Sequence, residues 1–256
     1  MYKAIPKSFA LVGAFSLATL LSFSSNATIV EFVTSQGNFK VNLHDQTTPK
    51  TVENFLKYIN DGDYNNTVIH RLKPGFVVQG GGFKFEGDFP LTSIDVDSTV
   101  INEPVYSNVK GTIAMAKQAN NPNSATSQWF VNYVNNSSGL DTDNGGYTVF
   151  GEVIEGMDNL EKIALLPTCS EIPMPDYTNE LCADASFIPG VENFVTISNV
   201  NITDTTVVTD ASLASVKNTL LNNEESSGSS SGGGSLSYLA LCALYLFGFR
   251  RRVRKG

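Results

Sequence analysis

Residues 69–83 read IHRLKPGFVVQGGGF. Two β-rich runs, at 68–72 and 76–79, flank a Lys73-Pro74-Gly75 turn, and Gly80, Gly81 and Gly82 close the stretch. One of only two histidines in the chain stands here beside an arginine. Successive side chains on a strand point to opposite faces, so His70 and Arg71 cannot serve the same site. No serine elbow or cysteine stands where it would make His70 a general base, and we read it as structural. Arg71 shares a face with Ile69 on this reading. A charged group among apolar neighbours either pairs with a carboxylate or presents a donor to a ligand. Two later stretches, GTIAMA at 111–116 and SATSQWF at 124–130, favour the ligand. Val77 and Gln79 share one strand face, as do Gln128 and Phe130. Phenylalanine, methionine and valine around two glutamines and one arginine fit a small apolar ring flanked by amide groups, not a charged substrate.

Outward from this stretch, strands are expected at 28–33, 39–43, 112–116, 128–133, 147–153 and 194–200. Thr48 and Pro49 open a helix with Thr48 as its cap. Val52, Phe55, Leu56 and Ile59 give it one apolar face, and Gly62 stops it. A second helix fits 157–165. The sum is about eight short strands and two helices. The fold class is therefore all-β dominated, a closed eight-stranded antiparallel β-barrel capped by two α-helices. Residues 167–190 read as a loop insert.

The two ends look like address labels. Residues 1–27 have a basic start, an apolar run and a small-residue finish at Ala27, the pattern of a secretory signal peptide cut after Ala27. Residues 28–203 form the domain. Residues 204–235 are a polar, then Ser/Gly-rich, linker with room for one helix over 211–221. Residues 236–256 join a short apolar helix to Arg250, Arg251, Arg252, Arg254 and Lys255. Glycines, apolar helix and arginine cluster in that order resemble the Gly-Gly sorting tails of Gram-negative bacteria, trimmed by an intramembrane protease; a permanent single-span anchor is the alternative. The expected location is outside the cytoplasm, in the periplasm or at the cell surface, with the tail touching membrane before processing. The net charge is −8, and setting aside the seven basic residues of the two ends leaves −15 for residues 28–249. An acidic body argues against nucleic acid as a partner. Cys169 and Cys182 flank a polar, proline-containing stretch within the insert of a chain expected to be exported, and are expected to form a disulfide; neither CxxC spacing nor nearby histidines suggest a metal.

IHRLKPGFVVQGGGF, GTIAMA, SATSQWF and YTVFGEV, in this order and spacing, resemble the signature segments of the cyclophilin-type peptidyl-prolyl cis–trans isomerases, over roughly 29–165 with a final strand near 194–200. The resemblance implies the capped eight-stranded barrel. It implies that Arg71 is catalytic, and that Phe76, Met115, Phe130 and Leu140 wall a proline pocket, to which the shared face with Gln79 adds Val77 as a substrate-binding residue. It places Gln79 and Gln128 as polar contacts, Ala116 and Lys117 along the substrate backbone, and Tyr147 where many relatives carry histidine. It implies a monomer acting without cofactor or metal on proline-containing polypeptides. Gly139 departs from the family, standing where many members carry a large aromatic. Trp129 should face away from Gln128 and Phe130, into the core. The run from Asp141 to Glu152 has a calcium-loop look, but Gly145 replaces a ligand and a strand follows, so we read a turn. A surface-displayed proline-binding module or chaperone without turnover is the rival function.

Overall fold

The structure is a computed structural model that describes residues 27–207, 213 and 215–221. In chain order the elements are β1 (Ala27–Thr34), β2 (Phe39–Leu43), α1 (Pro49–Asp61), β3 (Thr67–Val68), β4 (Arg71–Lys73), β5 (Val77–Gly80), β6 (Phe83–Lys84) and β7 (Thr92–Ser93). There follow β8 (Thr112–Met115), β9 (Trp129–Asn132), α2 (Ser137–Leu140), β10 (Val149–Glu155), α3 (Met157–Ile163), β11 (Thr168–Cys169), β12 (Ile172–Pro173), α4 (Asn179–Ala183) and β13 (Thr196–Val207). Eleven strands form one curled antiparallel sheet in the order β4-β5-β9-β8-β10-β2-β1-β13-β3-β6-β7, and β11 pairs only with β12.

The strand expected over 68–72 is split. Thr67 and Val68 pair with β13, whereas Arg71, Leu72 and Lys73 pair with β5. Between them Ile69 N–H donates to Val195 O and His70 N–H to Gln79 O. The chain changes neighbours midway, and side-chain alternation breaks there. Ile69 and Leu72 both enter the core, so Arg71 does not share a face with Ile69 as simple alternation suggested.

Inside the sheet, Phe32 stacks on Phe39 at 4.4 Å and meets the Trp129 ring edge-on at 4.9 Å. Trp129 is wholly buried, as expected. Helix α1 adds Val52, Phe55 and Tyr58 to this core, with Leu56 and Ile59 packed beside it. Its start differs from the local reading. Thr48 makes no capping bond; its hydroxyl donates to His44 O instead. The orphan amides of Lys50 and Thr51 donate to the Glu103 carboxylate, at 3.4 and 2.9 Å. A carboxylate from a distant loop thus serves the positive end of the helix dipole. Gly62 ends α1 in the left-handed conformation, as expected.

The three glycines let β5 close on the segment before β9. A Cβ on Gly80 would lie 2.9 Å from the Trp129 ring, and one on Gly82 2.7 Å from the Gln128 amide. Gly81 has φ +79°, and its Cβ would meet Ser127 O at 2.7 Å.

The insert over 167–190 is more than a loop. It forms the β11–β12 hairpin and α4, joined by a Cys169–Cys182 disulfide with a Cα–Cα distance of 5.6 Å. Met174 and Tyr177 pack with Val68 and Phe194 in a small apolar cluster of their own. Strand β13 runs to Val207, beyond the expected boundary at 203. Residues 215–220 are extended and not helical; Ser107 N–H donates to Val216 O and Asn218 N–H to Val105 O. The signal peptide expected over 1–27 lies outside the described residues except for Ala27, as does the tail expected over 236–256; among the described residues no helix is long and apolar enough to cross a membrane.

Gly81→Ala is expected to cost about 2 kcal/mol or more, because left-handed backbone and a clash with a main-chain oxygen act together. Gly75→Ala, also at positive φ but with open space around it, should cost only about 1 kcal/mol. Urea unfolding of the two variants checks this ordering.

Candidate active site

Strand register assembles the site. Arg71 on β4 pairs with Gln79 on β5, Gln79 with Phe130 on β9, and Phe130 with Ala114 on β8. These residues stand abreast on the face opposite the core. Val77, Ala114, Phe130, Leu140, Tyr147 and Val149 form a second apolar cluster there, with Phe76 and Ala116 against it. The cavity on this face has a volume of about 610 Å³. Arg71, Phe76, Val77, Gln79, Ala116, Lys117, Gln128, Phe130, Leu140 and Tyr147 all line it.

Met115 does not. It is fully buried in the main core and pairs with Trp129, not with Phe130. The expectation that Met115 walls the pocket is therefore corrected, and Ala114 takes that face by alternation. Residues that went unnamed in the sequence reading complete the lining: Gln118, Ala119, Ser124 and Thr126. Their signal was proximity, since they sit within or beside GTIAMA and SATSQWF.

The polar groups form a relay. Arg71 Nη1 donates to Gln79 Oε1 at 3.1 Å, and Gln79 Nε2 donates to Gln128 Oε1 at 2.9 Å. On its other side Arg71 Nε donates to Glu171 Oε2 at 2.8 Å, and Lys73 Nζ donates to Glu171 Oε1 at 2.9 Å. The sequence favours a ligand over a carboxylate as the partner of Arg71; in the structure Arg71 meets a carboxylate and also lines the cavity. Nothing local pointed to Glu171, which arrives from the insert 100 residues later. His70 lies buried edge-on to Phe83 at 4.8 Å. Burial pushes its imidazole down to about 4, with a hydrogen bond to the Gln128 side chain pulling the other way. A neutral, packed imidazole fits the structural reading.

Buried amides hold the apolar walls. Asn136 Nδ2 donates to Phe76 O at 3.0 Å and to Asn132 Oδ1 at 2.8 Å. Asn108 Nδ2 donates to Tyr147 O and to Asp141 Oδ1, both at 3.1 Å. The Asp141 carboxylate also accepts from Asn108 N–H and from the Ser107 hydroxyl. Its oxygens brace the turn that begins at Asp141 and leads into β10. A Cβ on Gly139 would meet only Asp143 Oδ2, at 3.7 Å, so there is open space at this position of α2, where many members of the family carry a large aromatic.

Residues 29–179 match the family model described as cyclophilin type peptidyl-prolyl cis–trans isomerase/CLD. The chain belongs to the cyclophilin-type isomerases. It is 40% identical over 142 residues to a peptidyl-prolyl cis–trans isomerase of Acinetobacter baylyi, an alignment covering 55% of this chain and 74% of the relative. It is 38% identical over 174 residues to isomerase A of Dickeya dadantii, covering 62% and 85%. With isomerase B of Escherichia coli it shares 41% over 140 residues, covering 53% and 83%. A crystal structure of a cyclophilin-type isomerase of Cryptosporidium parvum superposes with a TM-score of 0.51 at 24% identity, over 70% of this chain and 98% of that one, a likeness of fold. The cyclophilin-type match ends inside the insert, so Glu171 falls within it while Cys182 and the last strand lie beyond.

Lys117 offers a pH handle on this cyclophilin site. Its Nζ donates to Asn144 O at 2.9 Å and Gly146 O at 2.7 Å, and lies 4.6 Å from the centre of the Tyr147 ring. Burial pushes the ammonium down to about 8. The charged form, which ties the loop before Tyr147 most strongly, prevails below that pH and is lost above it. Affinity for an Xaa-Pro peptide should weaken as pH rises from 7 to 9. Lys117→Met should bind at a weaker, flat level, as read by titration at each pH.

Proposed function

We propose that the cavity receives the proline ring of an extended Xaa-Pro segment and that Arg71 accelerates rotation about the preceding peptide bond. The observation that carries this reading is the guanidinium at the rim of an apolar cavity, tied down by Gln79 and Glu171. Rotation about an amide is opposed by a barrier of roughly 18–20 kcal/mol, because twisting breaks conjugation. At the twisted midpoint the prolyl nitrogen regains its lone pair. A fixed N–H donor aimed there stabilises the twisted state above both planar ones. Phe76, Val77, Phe130 and Leu140 hold the ring, which fixes one end of the rotating bond. Gln79 and Gln128 offer amides to the carbonyl that turns, and Ala116 and Lys117 border the path of the peptide backbone. No covalent intermediate is needed. Arginine suits the task better than lysine, since its planar fork keeps its direction.

The same reading treats the sheet as a closed barrel, sealed by residues 67–73, which pair with β13 at one end and β5 at the other. It places the enzyme outside the cytoplasm, acting on envelope or secreted polypeptides. The pattern of residues 1–27 and the Cys169–Cys182 bond support export.

NMR exchange on a short Ala-Pro peptide tests the function. Wild-type chain should speed exchange, and Arg71→Ala should lower kcat/KM by about 100-fold or more, the loss usual for a transition-state donor. A wild type that binds the peptide and leaves its exchange rate unchanged would make the protein a proline-binding module.

A further inference from the structure

The two-residue turn joining β11 to β12 carries Ser170 at φ +52° and Glu171 at φ +67°. Both lie in the left-handed region, unfavourable for any residue with a Cβ; relaxed hairpins put Asn-Gly or Gly there. Such backbone persists where its surroundings over-determine it. Here the surroundings are β4. Glu171 O accepts from Leu72 N–H at 2.6 Å, while its carboxylate is shared between Arg71 Nε and Lys73 Nζ. The insert has other anchors: the cluster around Met174 and Tyr177, the bond from Met174 N–H to Pro167 O, and the disulfide. An ion pair on a half-exposed carboxylate adds little to such docking. Its effect falls on Arg71. Two contacts, Glu171 on Nε and Gln79 on Nη1, fix the plane of the guanidinium, and Nη2 has no hydrogen-bond partner among the described residues.

We propose that Glu171 is a positioning residue for catalysis, holding the Nε edge of Arg71 so that its remaining donors stay aimed into the cavity. The proposal rests on the isomerase reading, because aiming a donor matters only where it meets the rotating bond. Burial alone would push the Glu171 carboxyl up. Hydrogen bonds and charge from Lys73 and Arg71 outweigh that and hold it below the usual carboxylate range, so the partner is ionised at neutral pH.

Two variants of the full chain test it. Glu171→Gly deletes the carboxylate and relieves the left-handed backbone, whereas Glu171→Gln keeps an acceptor oxygen without the charge. Isomerisation of an Ala-Pro peptide, peptide affinity, Tm and the exchange of the Arg71 Nε–H proton are measured for each. Turnover should fall about ten-fold in Glu171→Gly and about three-fold in Glu171→Gln, with affinity unchanged within about two-fold. Nε–H exchange should quicken, and Tm should not fall in Glu171→Gly. Unchanged or faster turnover in both variants overturns the proposal. So does a loss of turnover that tracks a loss of Tm, which would make Glu171 an anchor of the insert. A wild type without turnover sinks the isomerase reading and this proposal together; an active wild type with fully active variants sinks the proposal alone.

Discussion

The register of β5 between β4 and β9 is the constraint on which the site depends. It sets Arg71, Gln79 and Phe130 side by side, and sends Val78, Trp129 and Val131 to the other face. A slip of one residue would exchange the two sets, driving a guanidinium into the core and Trp129 into solvent. Packing forbids that slip. Trp129 fills the space beside Gly80 and Gly81, where no side chain fits. Hydrophobic packing inside the sheet therefore decides the alignment of polar groups outside it. The glycines packed against Trp129 and Gln128 are part of how Arg71 is placed beside Gln79.

That arginine is nearly buried, at 9% exposure, and desolvating an unpaired guanidinium would be costly. Full pairing would solve the solvation problem and blunt the chemistry, since a neutralised cation does little for a developing lone pair. The arrangement lies between these extremes. Gln79 contributes a dipole without charge. Glu171 contributes charge, but divides its two oxygens between Arg71 and Lys73 and is itself 44% exposed, so water screens part of its field. On the proposed reading, orientation is kept while part of the positive charge of Arg71 remains available to the cavity.

Much of this was legible because it is local. The helix over 49–61, the glycine stop at Gly62 and the buried Trp129 follow from periodicity, turn chemistry and strand alternation, and ten of the eleven residues assigned to the pocket, all but Val77 through the resemblance to the cyclophilin-type segments, line the cavity. The failures have separate causes. The resemblance puts Met115 on the pocket wall, yet a strand alternates and only one of Ala114 and Met115 can face outward; it is Ala114. Arg71 and Ile69 were put on one face by an alternation that breaks where the chain changes partners. Glu103 at the start of α1 and Glu171 on Arg71 are separated from their partners by 52 and 100 residues, and no window of sequence reveals such contacts. Local rules fix what an element is; which distant carboxylate completes it is set by tertiary packing.

The pocket walls illustrate a further economy of the same kind. Phe76 and Tyr147 lie on different segments, yet their carbonyls accept from Asn136 and Asn108, and Asn132 links these two amides through bonds of 2.8 and 3.2 Å. Asn132 also donates to the Thr112 hydroxyl on β8, so the network is rooted in the sheet. A buried polar network whose members are satisfied is stiff, because moving one group strands its partners without water to replace them. Asn218, on the extended segment after β13, adds a bond to Asp141 O at 2.8 Å and braces the loop from outside. On the proposed reading, a pocket held this way needs little ordering when a proline ring enters. Binding free energy that would otherwise go into organising the walls is then available to favour the twisted peptide over the planar one.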